Sequence, residues 1–474
     1  MKLSLLGAST ALVTLTVLCA TQITPAFADE ASDLAAIRGQ ISQMQREYNA
    51  RIAALDARLK KAETDARAAR ASAASANKSA GAAQVTAQQM AQAAQTAAQT
   101  PTEAAATPSA PPTSNNAFNP GIAAVLNGLY AAASHNTKTT SIAGFALGGQ
   151  AGGPPKGFSL GESEISFAAN IDPEMAGFLD ISFDDNNDPN IEEAYVRSTN
   201  LPGGFTAKAG RFLSAIGYLN ERHAHDWSFS DAPLPYRAFL DTQYGDDGIQ
   251  LRWLAPTDTF LEFGGEWFRG DAYPASGAAH AGQGTMTAFV HTGDDFNESS
   301  SWLAALSYLH STAVDRETAN VINGRTDHFS GNDDLGVLSL VYKWAPEGNP
   351  VMQNFVATGE LFYGREKGFF DGITVSQNRN GWYAQGVYQF MPQWSVGLRY
   401  SQLASGSVPA ALDGTMLDDM GHTPRAETAL VEYDTSEFGR LRLQYTHDDS
   451  SLKPNDEVLL QYTVIYGPHG AHRY

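Results

Sequence analysis

Two hydrophobic periodicities divide the chain. Leu34, Ile37, Ile41, Met44, Tyr48, Ile52, Leu55 and Leu59 recur at steps of three and four, the spacing of an apolar stripe on a helix. Two successive steps of four, through Met44, Tyr48 and Ile52, make a stutter in the heptads. Beyond Leu59 the seam continues only in alanine and dissolves into Ala, Gln and Ser by Gln99. Such a seam buries its apolar surface against partner helices, which predicts a coiled coil. A single amphipathic helix lying on another partner satisfies the same pattern.

From about Phe118 to Tyr474 the period becomes two. Ile165, Phe167 and Ile171 alternate with Glu162, Glu164, Ser166 and Asn170, and Trp394, Val396, Leu398 and Tyr400 alternate with Ser395, Gly397 and Arg399. Leu441, Leu443 and Tyr445 alternate with Arg442, Gln444 and Thr446, and Val458, Leu460, Tyr462, Val464 and Tyr466 close the pattern. A soluble sandwich alternates too, so the connections decide. Short turns near Pro173, Pro202, Thr257, Asp294, Gly348, Pro392 and Glu437 take turns with longer polar stretches, among them Leu213 to Asp246, Asp271 to Gln283, Ser311 to Asp334 and Gln402 to Pro424. One-sided loop length predicts an all-β transmembrane antiparallel barrel of about sixteen strands, with both chain ends in the periplasm. Phe212, Trp253, Phe260, Trp302, Trp344, Phe355, Trp382, Phe390 and Trp394 stand at strand ends, as interfacial girdles require.

The ends and the composition place this barrel in a cell. Lys2, an apolar stretch to about Ala20 and the small-x-small site Ala26-Phe27-Ala28 predict a cleaved signal peptide over 1–28. The helical, periplasmic coiled-coil region then covers 29–100, a Pro- and Ala-rich linker 101–117, and the barrel 118–474. Cys19, the single cysteine, falls in the signal peptide, so no disulfide is expected. A formal net charge of -20 disfavours nucleic acid as a partner and leans towards cationic solutes.

Glu192-Glu193-Ala194-Tyr195-Val196, followed by Lys208-Ala209-Gly210-Arg211-Phe212, resembles the phosphate-selective porin superfamily. Phe158 to Glu164, the stretch RHAHDWSFSDAPLPYRAFL from Arg222 to Leu240, Gln243 to Gly248 and the ending Gly467 to Tyr474 are similar to zinc-regulated outer-membrane receptors related to the legiobactin receptor. The resemblance implies uptake of a small, metal-linked solute and a periplasmic helical extension. It transfers no catalytic residue. A TonB-driven receptor would need a globular plug and about twenty-two strands, whereas the region before this barrel reads as helix and linker.

The chemistry concentrates in the barrel. Gly157-Phe158-Ser159-Leu160-Gly161 spells a nucleophile-elbow motif but opens a strand, where a hydrolase needs a helix after the turn; no enzyme is expected. Asp184, Asn186 and Asp188 have calcium-loop spacing, yet Pro189 and Tyr195 replace the required glycine and glutamate. The stretch from Leu213 to Asp246 is long enough for a constriction loop folded into the lumen, and holds Arg222, His223, His225, Asp226, Trp227, Asp231, Tyr236, Arg237 and Asp241. His223 and His225 can ligate zinc, with Asp226 as an oxygen ligand, and His469 and His472 form a second candidate pair. Structural or solvated histidines are the plainer alternative at both. No resident cofactor is expected; zinc would be transient or transported.

The expected lumen face carries Glu162, Glu164, Asp180, Asp184, Glu193, Glu262, Glu266, Glu360 and Glu432 against Arg197, Lys208, Arg252, Lys343, Arg399 and Arg442. Most should form an internal salt-bridge network. The acidic excess favours cations in a narrow pore. Three functions follow: a porin-like channel for small solutes in the outer membrane, a TonB-independent receptor for a siderophore or metal chelate, and an envelope tether. The seam predicts a trimer through the coiled coil, whose helix could approach the cell wall.

Overall fold

The computed structural model describes residues 120–137, 141–183, 188–277 and 284–467. The signal peptide, the coiled coil with its trimer, the linker, Asp184, His469 and His472 lie outside the described residues.

Period-two alternation becomes seventeen strand segments in one antiparallel sheet. They are β1 (Gly121–Ala133), β2 (Gly157–Ser159), β3 (Ser163–Asn170), β4 (Met175–Phe183), β5 (Pro189–Ser198), β6 (Phe205–Leu213), β7 (Gly245–Leu254), β8 (Phe260–Phe268) and β9 (Thr285–Asn297). Then come β10 (Ser300–Asn320), β11 (Arg325–Trp344), β12 (Asn354–Phe370), β13 (Ile373–Met391), β14 (Trp394–Ser405), β15 (Arg425–Ser436), β16 (Gly439–Asp449) and β17 (Asn455–Tyr466). β2 and β3 lie end to end along one side of β1, which pairs with β17 on its other side. The ring is therefore closed and sixteen strands around. Closure leaves no strand edge unpaired, as a membrane-crossing sheet requires.

The two faces invert the pattern of a soluble protein. Leu306, Leu340, Leu361, Leu398 and Leu443 stand outward, Leu398 with 70% of its surface exposed. Ser307, Ser339, Glu360, Gln385, Arg399, Arg442 and Gln444 point inward and are buried. An apolar exterior around a polar interior is the arrangement of a transmembrane barrel. Among the described residues no helix is long and apolar enough to cross a membrane. Outward pairs mark one edge of the apolar band: Asp334 accepts from Tyr308 at 2.5 Å and lies 2.8 Å from His310, and Asp456 accepts from Tyr445 at 2.8 Å.

Two expectations change. The polar stretch from Ser311 to Asp334 is no loop. β10 and β11 run on to Asn320 and Arg325, joined by a turn of four residues, so a long hairpin stands beyond the apolar band. Its outward residues, such as Glu317, are polar and exposed, while inward ones such as Arg316, Thr318 and Asn320 are polar and buried, and polar residues on both faces remove the alternation that marks a strand. Phe212 is not part of a girdle: it is fully buried and packs inward on Phe268 at 5.0 Å between ring centres. Trp253, Phe260, Phe390 and Trp394 do stand outward near the short turns.

Connections at one end are turns of two to nine residues; at the other end lie 134–156, 214–244, 269–284 and 406–424. Segment 214–244 folds into the barrel. Its short helix α1 (Leu234–Leu240) has every residue buried, and it stops where Asp241 takes a left-handed backbone at φ 51°. From 134–156, Phe145 packs edge-on against Phe239 of α1 at 5.6 Å. With Tyr236, Leu240, Phe362 and Tyr383 these rings form an apolar core inside the barrel.

Candidate functional site

Segment 214–244 is fastened to the wall by polar side chains around the ring. On β8, Glu266 accepts from the backbone N–H of Ala215 at 3.0 Å and from the Ser214 hydroxyl. On β12, Glu360 accepts from the Tyr218 N–H at 2.7 Å and from the Tyr236 hydroxyl at 2.9 Å. On β14, Arg399 donates to the Asp231 carbonyl at 2.7 Å and to its carboxylate at 2.6 Å. On β16, Arg442 donates to the Trp227 carbonyl at 3.0 Å, and Arg237 reaches out to Asp448 at 3.0 Å. Hydrogen bonds to charged groups are the stronger kind, about 1.5–3 kcal/mol each, and here they fix a segment with little regular structure.

Ion pairs join several of these side chains. Arg252 pairs with Glu262 at 3.2 Å and with Glu221, Lys208 lies 3.9 Å from Glu221, and Arg442 lies 2.6 Å from Glu432. Arg222 stacks over the Tyr218 ring at 4.4 Å. Arg197, on the Glu193 face of β5, is exposed.

In one acidic corner of the lumen the carboxylates pair with histidines. The segment brings His223 and His225 against β3, β4 and β5. Nδ1 of His223 lies 3.1 Å from Glu164 Oε2 and 3.8 Å from Glu192 Oε2, while its Nε2 lies 3.0 Å from Glu193 Oε2. Nδ1 of His225 contacts the other oxygen of Glu164, and its Nε2 lies 3.5 Å from Asp226 Oδ1. Asp180 and Glu164 line the same small pocket as both histidines. Burial opposes charge on His223, but the hydrogen bonds from Glu164 and Glu193, with Glu192 nearby, outweigh it and hold the imidazole well above its ordinary range. Glu162, just before β3, interacts electrostatically with Glu192, Glu164 and His223.

The structure thus gathers Glu162, Glu164, Asp180, Glu193, His223 and His225 at one place. Asp226 is at its margin, beside the far nitrogen of His225 rather than facing Glu164. Glu192 had no place on the expected lumen face, because strict alternation points it at lipid. A β-bulge between β4 and β5 pairs Asp180 with Glu193 and Ile181 with Ile191, and so turns Glu192 inward as an extra residue. Two adjacent carboxylates in a strand that otherwise alternates were the available signal. Ser159 of the elbow-like motif lies on β2 with strand rather than helix after it, so that motif makes no nucleophile elbow.

No family model matches the chain. An uncharacterized protein of Aquifex aeolicus (strain VF5) is 26% identical over 344 residues, covering 67% of this chain and 70% of that protein. Among solved structures, the trimer form of OmpT from Vibrio cholerae aligns with 10% identity over 74% of this chain and 100% of its own, with a TM-score of 0.47. The outer-membrane channel DcaP of Acinetobacter baumannii aligns with 12% identity over 74% of this chain and 99% of its own, with a TM-score of 0.46. An anion-selective porin from Comamonas acidovorans aligns with 9% identity over 73% and 99%, with a TM-score of 0.47.

Proposed function

We propose that this chain is a porin-like channel of the outer membrane, with its long connections outside the cell and segment 214–244 as its constriction. The observation that carries the reading is a closed, lipid-compatible barrel whose lumen is narrowed by a segment pinned to acidic and basic wall residues. A diffusion pore needs a water-lined passage beside its constriction. The acidic corner at Glu164, Asp180, Glu192 and Glu193 gives that passage an attraction for cations, strongest where the pore is narrow.

The test is conductance in planar bilayers under a salt gradient. The expected result is a cation preference that fades at high salt, as screening shortens from about 10 Å at 0.1 M to about 3 Å at 1 M. Glu164→Gln with Asp180→Asn should reduce it. Anion preference would sink the reading. A second reading, a receptor closed until a solute binds, is favoured by the buried rings of Phe145, Tyr236 and Phe239 across the lumen; the absence of any conductance would select it.

A further inference from the structure

The acidic corner gathers more carboxyl groups than the two histidines can pair with. Glu162, Glu164, Asp180, Glu192 and Glu193 face His223 and His225. Five carboxyl groups thus gather around two imidazoles. Asp180 is 1% exposed, and its Oδ1 has no hydrogen-bond partner among the described residues. Glu192 Oε2 is likewise buried without one. Burying an uncompensated carboxylate costs several kcal/mol, so oxygens converging on one point call for a cation between them.

The donor geometry says which kind. Glu164, His223 and His225 offer one ligand atom each within 4.8 Å of one another, and so do Glu164, Asp180, Glu192 and His223. The two sets share Glu164 and His223. In a tetrahedral site with bonds of about 2.0–2.1 Å, ligand atoms stand roughly 3.3 Å apart; His223 Nδ1 lies 3.1 Å from Glu164 and 3.8 Å from Glu192. Both histidines turn Nδ1 towards Glu164 and Nε2 towards a second carboxylate, Glu193 or Asp226. That is how a metal-binding imidazole is held: one nitrogen to the metal, the other N–H to an orienting acceptor.

We propose that Glu164, His223 and His225, completed by Asp180 or Glu192, bind one divalent transition-metal cation of the zinc class in the lumen. Glu193 and Asp226 are positioning residues that fix the two rings. Two imidazoles with carboxylates suit zinc over magnesium or calcium, which take oxygen ligands. The site joins the constriction segment to β3, β4 and β5, so the ion would also clamp that segment to the wall. The inference rests on the reading of segment 214–244 as the lumen constriction and assigns a ligand to it.

The experiment is calorimetric titration of the untagged full chain, folded in detergent, with zinc chloride, and cobalt absorption as a spectroscopic readout. One zinc per chain is expected, with no competition from excess magnesium or calcium, and cobalt should show the bands of four-coordinate N/O ligation. His223→Ala with His225→Ala should weaken binding at least tenfold, as should Glu164→Gln. Glu193→Gln should cost about tenfold while leaving the stoichiometry at one. His447→Ala, on the outer face, and His469→Ala with His472→Ala should leave binding intact. Heat-modifiable gel migration checks that each barrel is folded; should Glu164→Gln fail it, Asp180→Asn with Glu192→Gln takes its place. Absence of saturable binding, binding indifferent to the Glu164 or His223/His225 substitutions, or binding lost only with His469 and His472 would overturn the site. Conductance is recorded on the same preparations. A conducting barrel without zinc binding removes only this inference, and a zinc-binding barrel without conductance removes only the channel.

Discussion

The hydroxyl of Tyr236, on the short helix α1, donates to Glu360 on β12 at 2.9 Å. The same carboxylate accepts from the Tyr218 N–H at 2.7 Å, and from the hydroxyls of Ser339 and Tyr383 at 2.5 Å each. Four donors thus converge on one buried acceptor, and that acceptor links segment 214–244 to three neighbouring strands.

Glu360→Ala should therefore release the segment. Each buried donor left unsatisfied costs about 1–3 kcal/mol, so urea unfolding from vesicles should show a loss of a few kcal/mol. Single-channel conductance should rise as the segment leaves the lumen. Gly217 gives a second handle: at φ +71° it holds a backbone that side chains resist, and a Cβ there would meet the Tyr236 hydroxyl and lie 2.9 Å from Glu360 Oε1. Gly217→Ala should have the same effects. Combined with Glu360→Ala it should add less than its own cost, because both changes break one anchor. Full additivity would show that the anchor is not shared.

A buried ionic group fastens the long-loop end. Arg379 pairs with Asp333 at 2.5 Å and lies 3.6 Å from Glu366, which also pairs with Arg316. Arg379→Ala leaves buried acid unpaired and should cost about 3–5 kcal/mol, whereas Arg379→Met with Asp333→Leu, which removes both charges, should be close to neutral. Chemical unfolding of the two variants side by side decides it; equal losses would show that packing of the arginine stem, not its charge, matters.

The alternation of Leu398, Arg399 and Tyr400 and the one-sided connection lengths made the barrel legible, because a strand between lipid and water carries its two environments in its sequence. The length of 214–244 and the pairing of His223 with His225 marked a segment of its own kind, and that segment folds into the barrel. Asp180 and Glu192 could not be joined to those histidines in sequence, since ring closure and a bulge bring them together. The inward fold of 134–156 was equally hidden: Phe145 and Ala151 are buried by contacts with a segment about a hundred residues away. The hairpin past Asp334 has no strand signature because polar residues occupy both its exposed outer face and its buried inner face, where Arg316, Thr318 and Asp333 lie.

Asp241 ties these two inward segments together, accepting the Gln150 N–H at 2.7 Å. Burial pushes its carboxyl up to about 7, against backbone hydrogen bonds from Gln150, Ala151 and Gly149 that lower it. A carboxyl raised in the folded state holds its proton more tightly there than in the unfolded chain. Its contribution to stability is therefore complete below the ordinary carboxylate value of about 3.9 and is lost as pH rises through about 7. Wild type and Asp241→Asn should accordingly differ in the slope of stability against pH between these values. Parallel slopes would show that Asp241 titrates normally.

The final prediction concerns which end of the barrel faces the medium. Residues 325–333 of β11 lie beyond Asp334, where the apolar band ends, and at about 3.4 Å per residue the hairpin carries its tip, Asn323, well clear of lipid. Glu437, in the two-residue turn between β15 and β16, is at the opposite end, close to the outward ring of Phe438. Short turns belong to the periplasmic side of bacterial barrels. Because the sequence has a single cysteine, Cys19 within the expected signal peptide, one introduced thiol reports on one place. A membrane-impermeant maleimide added to intact cells should label Asn323→Cys, and Ser276→Cys in the connection after β8. It should label Glu437→Cys only once the outer membrane is opened. The reverse pattern would turn the barrel over, and the constriction segment, which enters from the same end as Asn323, would then be reached from the periplasm.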